Sequence, residues 1–149
     1  MSKEASEGRT VLVAVYGTLK KGYNNHHVLG KEYNYLGYGN TQGKYDMKDA
    51  GFPAIVKNEE GKPVQVEVYE IPEDRLKQLD RLEGVPYMYT REKETIKVFL
   101  NMEEEEFLDD VFIYVGTDYF KHNKPYESYD HLHVWRSNVI QFPKAGRFA

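Results

Sequence analysis

"VQVEVYEIPEDRLKQLDRLEG", residues 64–84, contains both kinds of regular structure, and the change of period inside it decides the fold class. Val64, Val66 and Val68 alternate with Gln65, Glu67 and Tyr69, and a period of two puts each set on its own face of a strand. From Pro72 the period lengthens. A proline stands near the start, Glu73 and Asp74 fill the first turn, Gly84 follows the pattern and Pro86 lies just beyond. These start and stop signals predict a helix over residues 72–83, with Leu76, Leu79 and Leu82 as its apolar stripe.

The segments on either side read mostly as strands. Residues 10–16 form an apolar run that ends in a glycine turn, Tyr16-Gly17-Thr18-Leu19. Residues 24–29 fit one short helical turn stopped by Gly30. Residues 33–45, rich in tyrosine and glycine, fit a strand with a bend or bulge. Residues 48–53 read as a turn, 54–57 as a short strand and 58–62 as a hairpin loop. Residues 89–100 and 107–115 read as paired strands around a solvated acidic tip at 101–106. Residues 127–142 fit a short helix or an arm packed on the sheet. One helix among many strands implies an α+β domain with a small curved, barrel-like sheet. Residues 1–9 read as a disordered lead-in, and 10–149 as one domain whose arm, from about residue 118, carries no recognisable motif.

Composition narrows the function. The chain has 149 residues, 13 of them tyrosine, and no cysteine, which excludes a thiol nucleophile, an iron–sulfur cluster and a zinc knuckle. The net charge of −4 disfavours general nucleic-acid binding, which depends on neutralising phosphates. No apolar run has the length of a membrane span and residues 1–10 lack the apolar core of a secretory signal, so a cytoplasmic location is the expectation.

Glu83 is the carboxylate that stands out. It lies seven residues after Leu76 and four after Leu79, so on a helix it returns to the apolar face. It also falls at the helix C-terminus, where unpaired carbonyls disfavour negative charge. Burial and the helix end both predict a raised pKa, which suits a group that exchanges protons near neutrality. Most helix-terminal glutamates point to water, and that reading stays open on spacing alone. Asp80 falls at the edge of the stripe, and Arg75, near it by angle, reads as snorkelling.

The run Tyr16-Gly17-Thr18-Leu19 with Gly22, Asn25 and His26, then Phe52-Pro53-Ala54-Ile55-Val56, then Leu79-Asp80, Glu83, Pro86, Tyr89 and Arg91, resembles the gamma-glutamylcyclotransferase-like family. The opening is most similar to its gamma-glutamylamine cyclotransferase branch. The likeness covers residues 11–115, with Phe52 where tyrosine is usual and Val66 where many members have glycine.

The resemblance implies a curved, barrel-like mixed sheet with one main helix and short flanking helices. It implies a small-molecule gamma-glutamyl substrate whose own α-amino group attacks its side-chain carbonyl, giving 5-oxoproline and a free amine with no cofactor and no metal. Glu83 would be the catalytic acid and base. Tyr16, Gly17, Thr18 and Leu19 would bind substrate through backbone N–H groups, with Gly17 allowing close approach, and Tyr89 and Tyr114 would complete the pocket. Arg91 is expected to pair with an acid, Asn25 to brace the loop, and Lys20 and Lys21 either to add positive potential at the pocket mouth or to stand in solvent. His131 and His133 read as surface or partly buried side chains. Two alternatives stay open: a related enzyme that removes a gamma-glutamyl group in a biosynthetic pathway, and a binding module without turnover. The leaving amine and the oligomeric state are not fixed by the sequence.

Overall fold

Both faces of the first strand, β1 (Thr10–Val15), are covered, which is why its residues run apolar without alternating. Ala14 points into one buried cluster, while Val13 and Val15 point into another. The computed structural model describes residues 8–100, 103–127 and 129–136. After β1 come β2 (Asn34–Thr41), β3 (Tyr45–Asp49), β4 (Pro53–Lys57), β5 (Gln65–Pro72), the helix α1 (Leu76–Leu82), β6 (Tyr89–Phe99), β7 (Glu105–Gly116) and β8 (Lys124–Pro125). Single 3₁₀ turns stand at His26–Leu29, Glu73–Arg75 and Asp118–Phe120.

The expected α+β fold with a barrel-like mixed sheet is what forms. Strands β1, β5, β2, β6 and β7 close into a barrel in that order. The pairs within it are antiparallel, except that β1 meets β7 in parallel at Val13 and Phe112. Closure leaves this sheet without a free edge for another chain to pair with. Val66, Val68, Ile96, Val98, Val111 and Ile113 fill one cluster, to which Tyr45, Met47 and Ile55 add the face of a second sheet, β4-β3-β8. On the other side of β1, Leu76 and Leu79 of α1 pack with Val13, Val15, Leu29 and Ile71.

Several boundaries differ from the sequence expectations. Pro72 closes β5, and the predicted helix splits into a 3₁₀ turn and seven residues of α-helix. Leu82, expected in the core stripe, is 40% exposed. The strand expected over 33–45 ends at Thr41, with its bulge between Tyr35 and Gly37, and Tyr45 opens a new strand. The predicted turn at 48–53 shrinks to residues 50–52. The segment 58–62 is no hairpin between partners: β4 pairs with β3, and the chain crosses there into β5 of the barrel.

Arg75 is anchored by a bond from its Nε to Val28 O at 3.0 Å rather than snorkelling. Of the segment expected to be a helix or an arm, the described part is an arm: β8 just before it pairs with β3, Val64 bridges His133, and Trp135 is buried. The remainder of that segment from 137, the lead-in at 1–7, and residues 101 and 102 of the acidic tip lie outside the described residues.

Candidate active site

β1 stops at Val15 and the chain turns. Gly17 O accepts from Lys20 N at 3.0 Å, closing the loop, and Asn25 clamps it from behind. Asn25 Nδ2 donates to Thr18 Oγ1 at 2.9 Å and Asn25 N to Thr18 O at 2.9 Å, the bracing role expected of it. His26 Nδ1 donates to Leu19 O at 2.8 Å, which places the ring proton on that nitrogen. Among the described residues no acceptor takes the N–H groups of Gly17, Thr18 and Leu19. Successive N–H donors on such a loop are a natural seat for an anion or a developing oxyanion.

Gly17 has a nearer reason for lacking a side chain than an incoming ligand. A Cβ there would stand 2.6 Å from Pro53 Cγ and 2.9 Å from Pro53 Cδ. The loop and the start of β4 are pressed together, and only glycine permits it.

These residues line one wall of a cavity of about 370 Å³, which Glu83, Tyr89 and Tyr114 also border, together with Phe52, Leu82 and Met88. That volume is at the small end of the range for small-molecule sites. All seven residues singled out from the sequence, Tyr16, Gly17, Thr18, Leu19, Glu83, Tyr89 and Tyr114, border this one space.

Glu83 is the C-cap of α1, its N–H bonded to Leu79 O at 2.9 Å. Its carboxylate makes no hydrogen bond or ion pair among the described residues. Burial lifts its pKa from the ordinary 4.5 to about 7. Of the two causes expected, burial and the helix end, burial is the one that acts, and α1 has only two turns of dipole to offer. A carboxyl at about 7 is divided between its acid and its base at neutral pH.

Three tyrosines fix the surroundings of that carboxyl. Tyr16 Oη donates to Tyr114 O at 2.7 Å and accepts from Ile55 N at 3.4 Å. Tyr89 Oη donates to Pro53 O at 2.8 Å, so it holds the β4 wall rather than Glu83. Tyr114 Oη donates to Asp80 Oδ1 at 2.7 Å, and Arg91 Nη1 reaches both Asp80 oxygens at 2.9 and 2.7 Å. Arg91 therefore has the acidic partner expected of it, and its guanidinium lies over the Phe112 ring. Burial raises all three phenols; for Tyr16 and Tyr89 the nearby Glu83 charge raises them further, and for Tyr114 the Asp80 carboxylate does. Each stays a neutral donor across the working pH range.

Lys20 is not at the cavity mouth. It is buried, and its Nζ donates to Trp135 O at 2.7 Å, on the C-terminal segment. His133 is buried too, with Nε2 donating to Tyr45 O at 2.8 Å. No cluster of three or more His, Asp or Glu side chains suited to a metal ion occurs among the described residues. None of their helices is long and apolar enough to cross a membrane.

Phe52 and Met88 were not among the predicted site residues. Phe52 sits on the turn between β3 and β4 and Met88 on the turn before β6. The available signal was their place inside the two resembling stretches.

The family model described as "Gamma-glutamyl cyclotransferase, AIG2-like" matches residues 13–137. A Methanocaldococcus jannaschii protein provisionally named gamma-glutamylcyclotransferase is 41% identical over 96 residues, 64% of this chain and 80% of its own. A gamma-glutamylaminecyclotransferase of Bos taurus is 40% identical over 95 residues, 58% of this chain and 56% of its own, so the match spans little more than half of that relative. The crystal structure of an AIG2-like protein from Mus musculus superposes with a TM-score of 0.65 at 26% identity, covering 87% of this chain and 99% of that one.

Proposed function

The chain belongs to the gamma-glutamyl cyclotransferase, AIG2-like family, and on that footing we propose that it releases 5-oxoproline and a free amine from a gamma-glutamyl amine. The observation that carries the reading is the placement of Glu83. A partly buried, unpaired carboxyl at about 7 borders the same cavity as a loop with three open N–H groups.

The reaction asks for little else. The substrate carries its own nucleophile, so holding it folded supplies the proximity that would otherwise limit ring closure. The N–H groups of the 16–19 loop take the substrate carboxylate or the oxyanion that forms as its γ-carbonyl is attacked. Glu83 takes a proton from the α-ammonium, and the freed nitrogen bonds to the γ-carbon. The bond from that carbon to the leaving nitrogen then breaks as Glu83 returns the proton. The ring nitrogen sheds a second proton by the same route, so the amine departs as an ammonium, and no water is consumed. Tyr16 and Tyr89, held neutral by burial, keep charge away from the pocket wall.

The bovine relative's name supports an amine, rather than an α-amino acid, as the leaving group. The test is release of 5-oxoproline from gamma-glutamyl-ε-lysine, gamma-glutamyl-alanine and glutathione. Gamma-glutamyl-ε-lysine should show the highest kcat/KM. The reverse order would move the chain to another branch, and no release from any of them would remove the assignment.

A further inference from the structure

The loop with the three open N–H groups is fastened at its far end to a distant part of the chain. Lys20 follows Leu19 directly, and its side chain is buried: Nζ donates to Trp135 O at 2.7 Å and stands 5.1 Å from the centre of the Tyr23 ring. That ring in turn meets the Trp135 ring, with centroids 5.4 Å apart. Burial pushes the Lys20 pKa down, the Glu67 charge pushes it up and the Arg136 charge pushes it down again. A neutral donor would join the two segments at a lower desolvation cost. An ammonium makes the stronger bond to a carbonyl.

The nearest other braces of the loop belong to its own stretch of chain. Asn25 holds Thr18 and His26 holds Leu19 O, so they make one unit of residues 17–26 without joining it to the barrel. Lys21 N donates to Glu67 Oε1 at 2.9 Å, but that bond is exposed and competes with water. At the loop's start Tyr16 is held by Tyr114 O. Thr18 and Leu19 are thus strung between Tyr16 and Lys20.

The arm that receives the lysine is itself fixed to both sheets. Tyr126 N donates to Met47 O on β3 at 2.9 Å, while Gln65 N, on β5, donates to His133 O at 2.8 Å and His133 N to Pro63 O at 2.9 Å. Just past Trp135, Tyr126 Oη accepts from Arg136 N and donates to Arg136 O, each at 3.1 Å. Lys20, Tyr126, His133 and Trp135 all stand outside the lining of the cavity.

We propose that Lys20 is a positioning residue: it fastens the donor loop to the C-terminal arm, and the arm, from outside the cavity, sets the direction in which the Thr18 and Leu19 N–H groups point. This rests on the reading of the loop as the seat for the substrate carboxylate or the oxyanion, and extends it to residues that touch no substrate. Donors fixed in advance bind without first being ordered. If the unfastened loop spends about a tenth of its time in the competent arrangement, affinity falls about tenfold.

The test compares the wild-type protein with Lys20→Met, which keeps an apolar stem and removes the donor. Nitrogen-15 relaxation without ligand should show order parameters for the Thr18 and Leu19 amides falling from about 0.85 to below about 0.6, with barrel amides such as Val66 and Ile113 unchanged. Calorimetry should show 5-oxoproline bound about tenfold less tightly. Tyr126→Phe reaches the same bond from the arm, by removing the hydroxyl that holds Arg136, and should weaken 5-oxoproline about threefold whether or not Lys20→Met folds. Ile113→Val, which lowers stability from the barrel interior, should leave binding unchanged. Circular dichroism checks the fold of each protein. Unchanged order at Thr18 and Leu19 in folded Lys20→Met overturns the proposal, as does unchanged affinity there or in Tyr126→Phe, or an equal loss in Ile113→Val. Failure of the wild-type protein to bind 5-oxoproline would strike the reading of the cavity; the order parameters, measured without ligand, would then decide the tether alone.

Discussion

Replacing Glu83 by glutamine changes one atom type and should separate two roles of the carboxyl. In the folded chain the group holds its proton up to about 7; in the unfolded chain it loses it near 4.5. The folded state therefore binds more protons between these values, and stability falls as pH rises through that window. Below 4.5 both states are protonated and the group costs nothing. Above 7 the cost is complete and no longer grows. At about 1.36 kcal/mol per pH unit it approaches about 3 kcal/mol, with partial exposure of Glu83 lowering it.

Glu83→Gln has no such slope. Its melting temperature should match that of the wild type near pH 4.5 and exceed it by several degrees at pH 8. Activity should move the other way. A positioned acid–base group contributes ~10²–10⁴-fold, and glutamine cannot carry a proton, so 5-oxoproline release should fall by that amount while ligand binding largely survives. Asp74→Asn, an exposed carboxylate beside the same helix, is the control and should leave both measurements nearly unchanged. Asp80 is unsuited to that purpose, because it holds both Arg91 and Tyr114. Parallel pH dependence of the two melting curves would show that Glu83 does not carry the raised pKa. Release within a few-fold of the wild type would show that it is not the proton carrier.

Gly17→Val should weaken binding of 5-oxoproline by tenfold or more in a protein that still folds, because the new Cβ meets Pro53 at 2.6 Å and loop and wall must part; normal affinity by calorimetry would dissociate the loop from the site. Asp80→Asn should lower stability by about 1 kcal/mol, the scale of a charge-assisted bond discounted for partners whose side chains are 29% and 30% exposed, and should loosen Tyr114; an unchanged urea midpoint would count against the network. Tyr89→Phe leaves Pro53 O without its donor and should cost about 1 kcal/mol, with KM rising more than kcat falls; a loss confined to kcat would instead put the phenol in the chemistry. The rate of the wild-type enzyme should climb as pH rises through about 7, as Glu83 ionises, and a profile flat from pH 5 to 9 would contradict its role as base.

The sequence exposed the elements whose periods are clean. β5 shows in the valine alternation and α1 in its leucines, and from those the angle of Glu83 could be read. β3 was missed because only Tyr45 and Met47 face inward along it; Asp49, which a period of two puts on the same face, is charged, so the alternation is too short to read. Leu82 was misplaced for a different reason. Periodicity says which face a residue occupies, and the same face is core at Leu79 and cavity at Leu82. Phe52 and Met88 stand on turns, where no period exists, and only the closed chain brings them together. The raised pKa followed from burial, which the leucine spacing had signalled; the helix end added an argument that a two-turn helix hardly supports.

Barrel closure between β1 and β7 also sets an order of assembly. β1 leaves the ribosome first, but its two neighbours in the barrel, β5 and β7, are made some sixty and one hundred residues later. Tyr16, at the head of the candidate loop, takes its hydrogen-bond acceptor from Tyr114, 98 residues away. Lys20, just beyond the loop, is tied to Trp135 at a separation of 115. Contacts this distant are paid for in chain entropy before they return anything, which slows folding. The glycine loop is therefore made early and set late: until residues 105–116 have been synthesised and have paired, the strand that carries it lacks one neighbour and its three open N–H groups have no fixed direction.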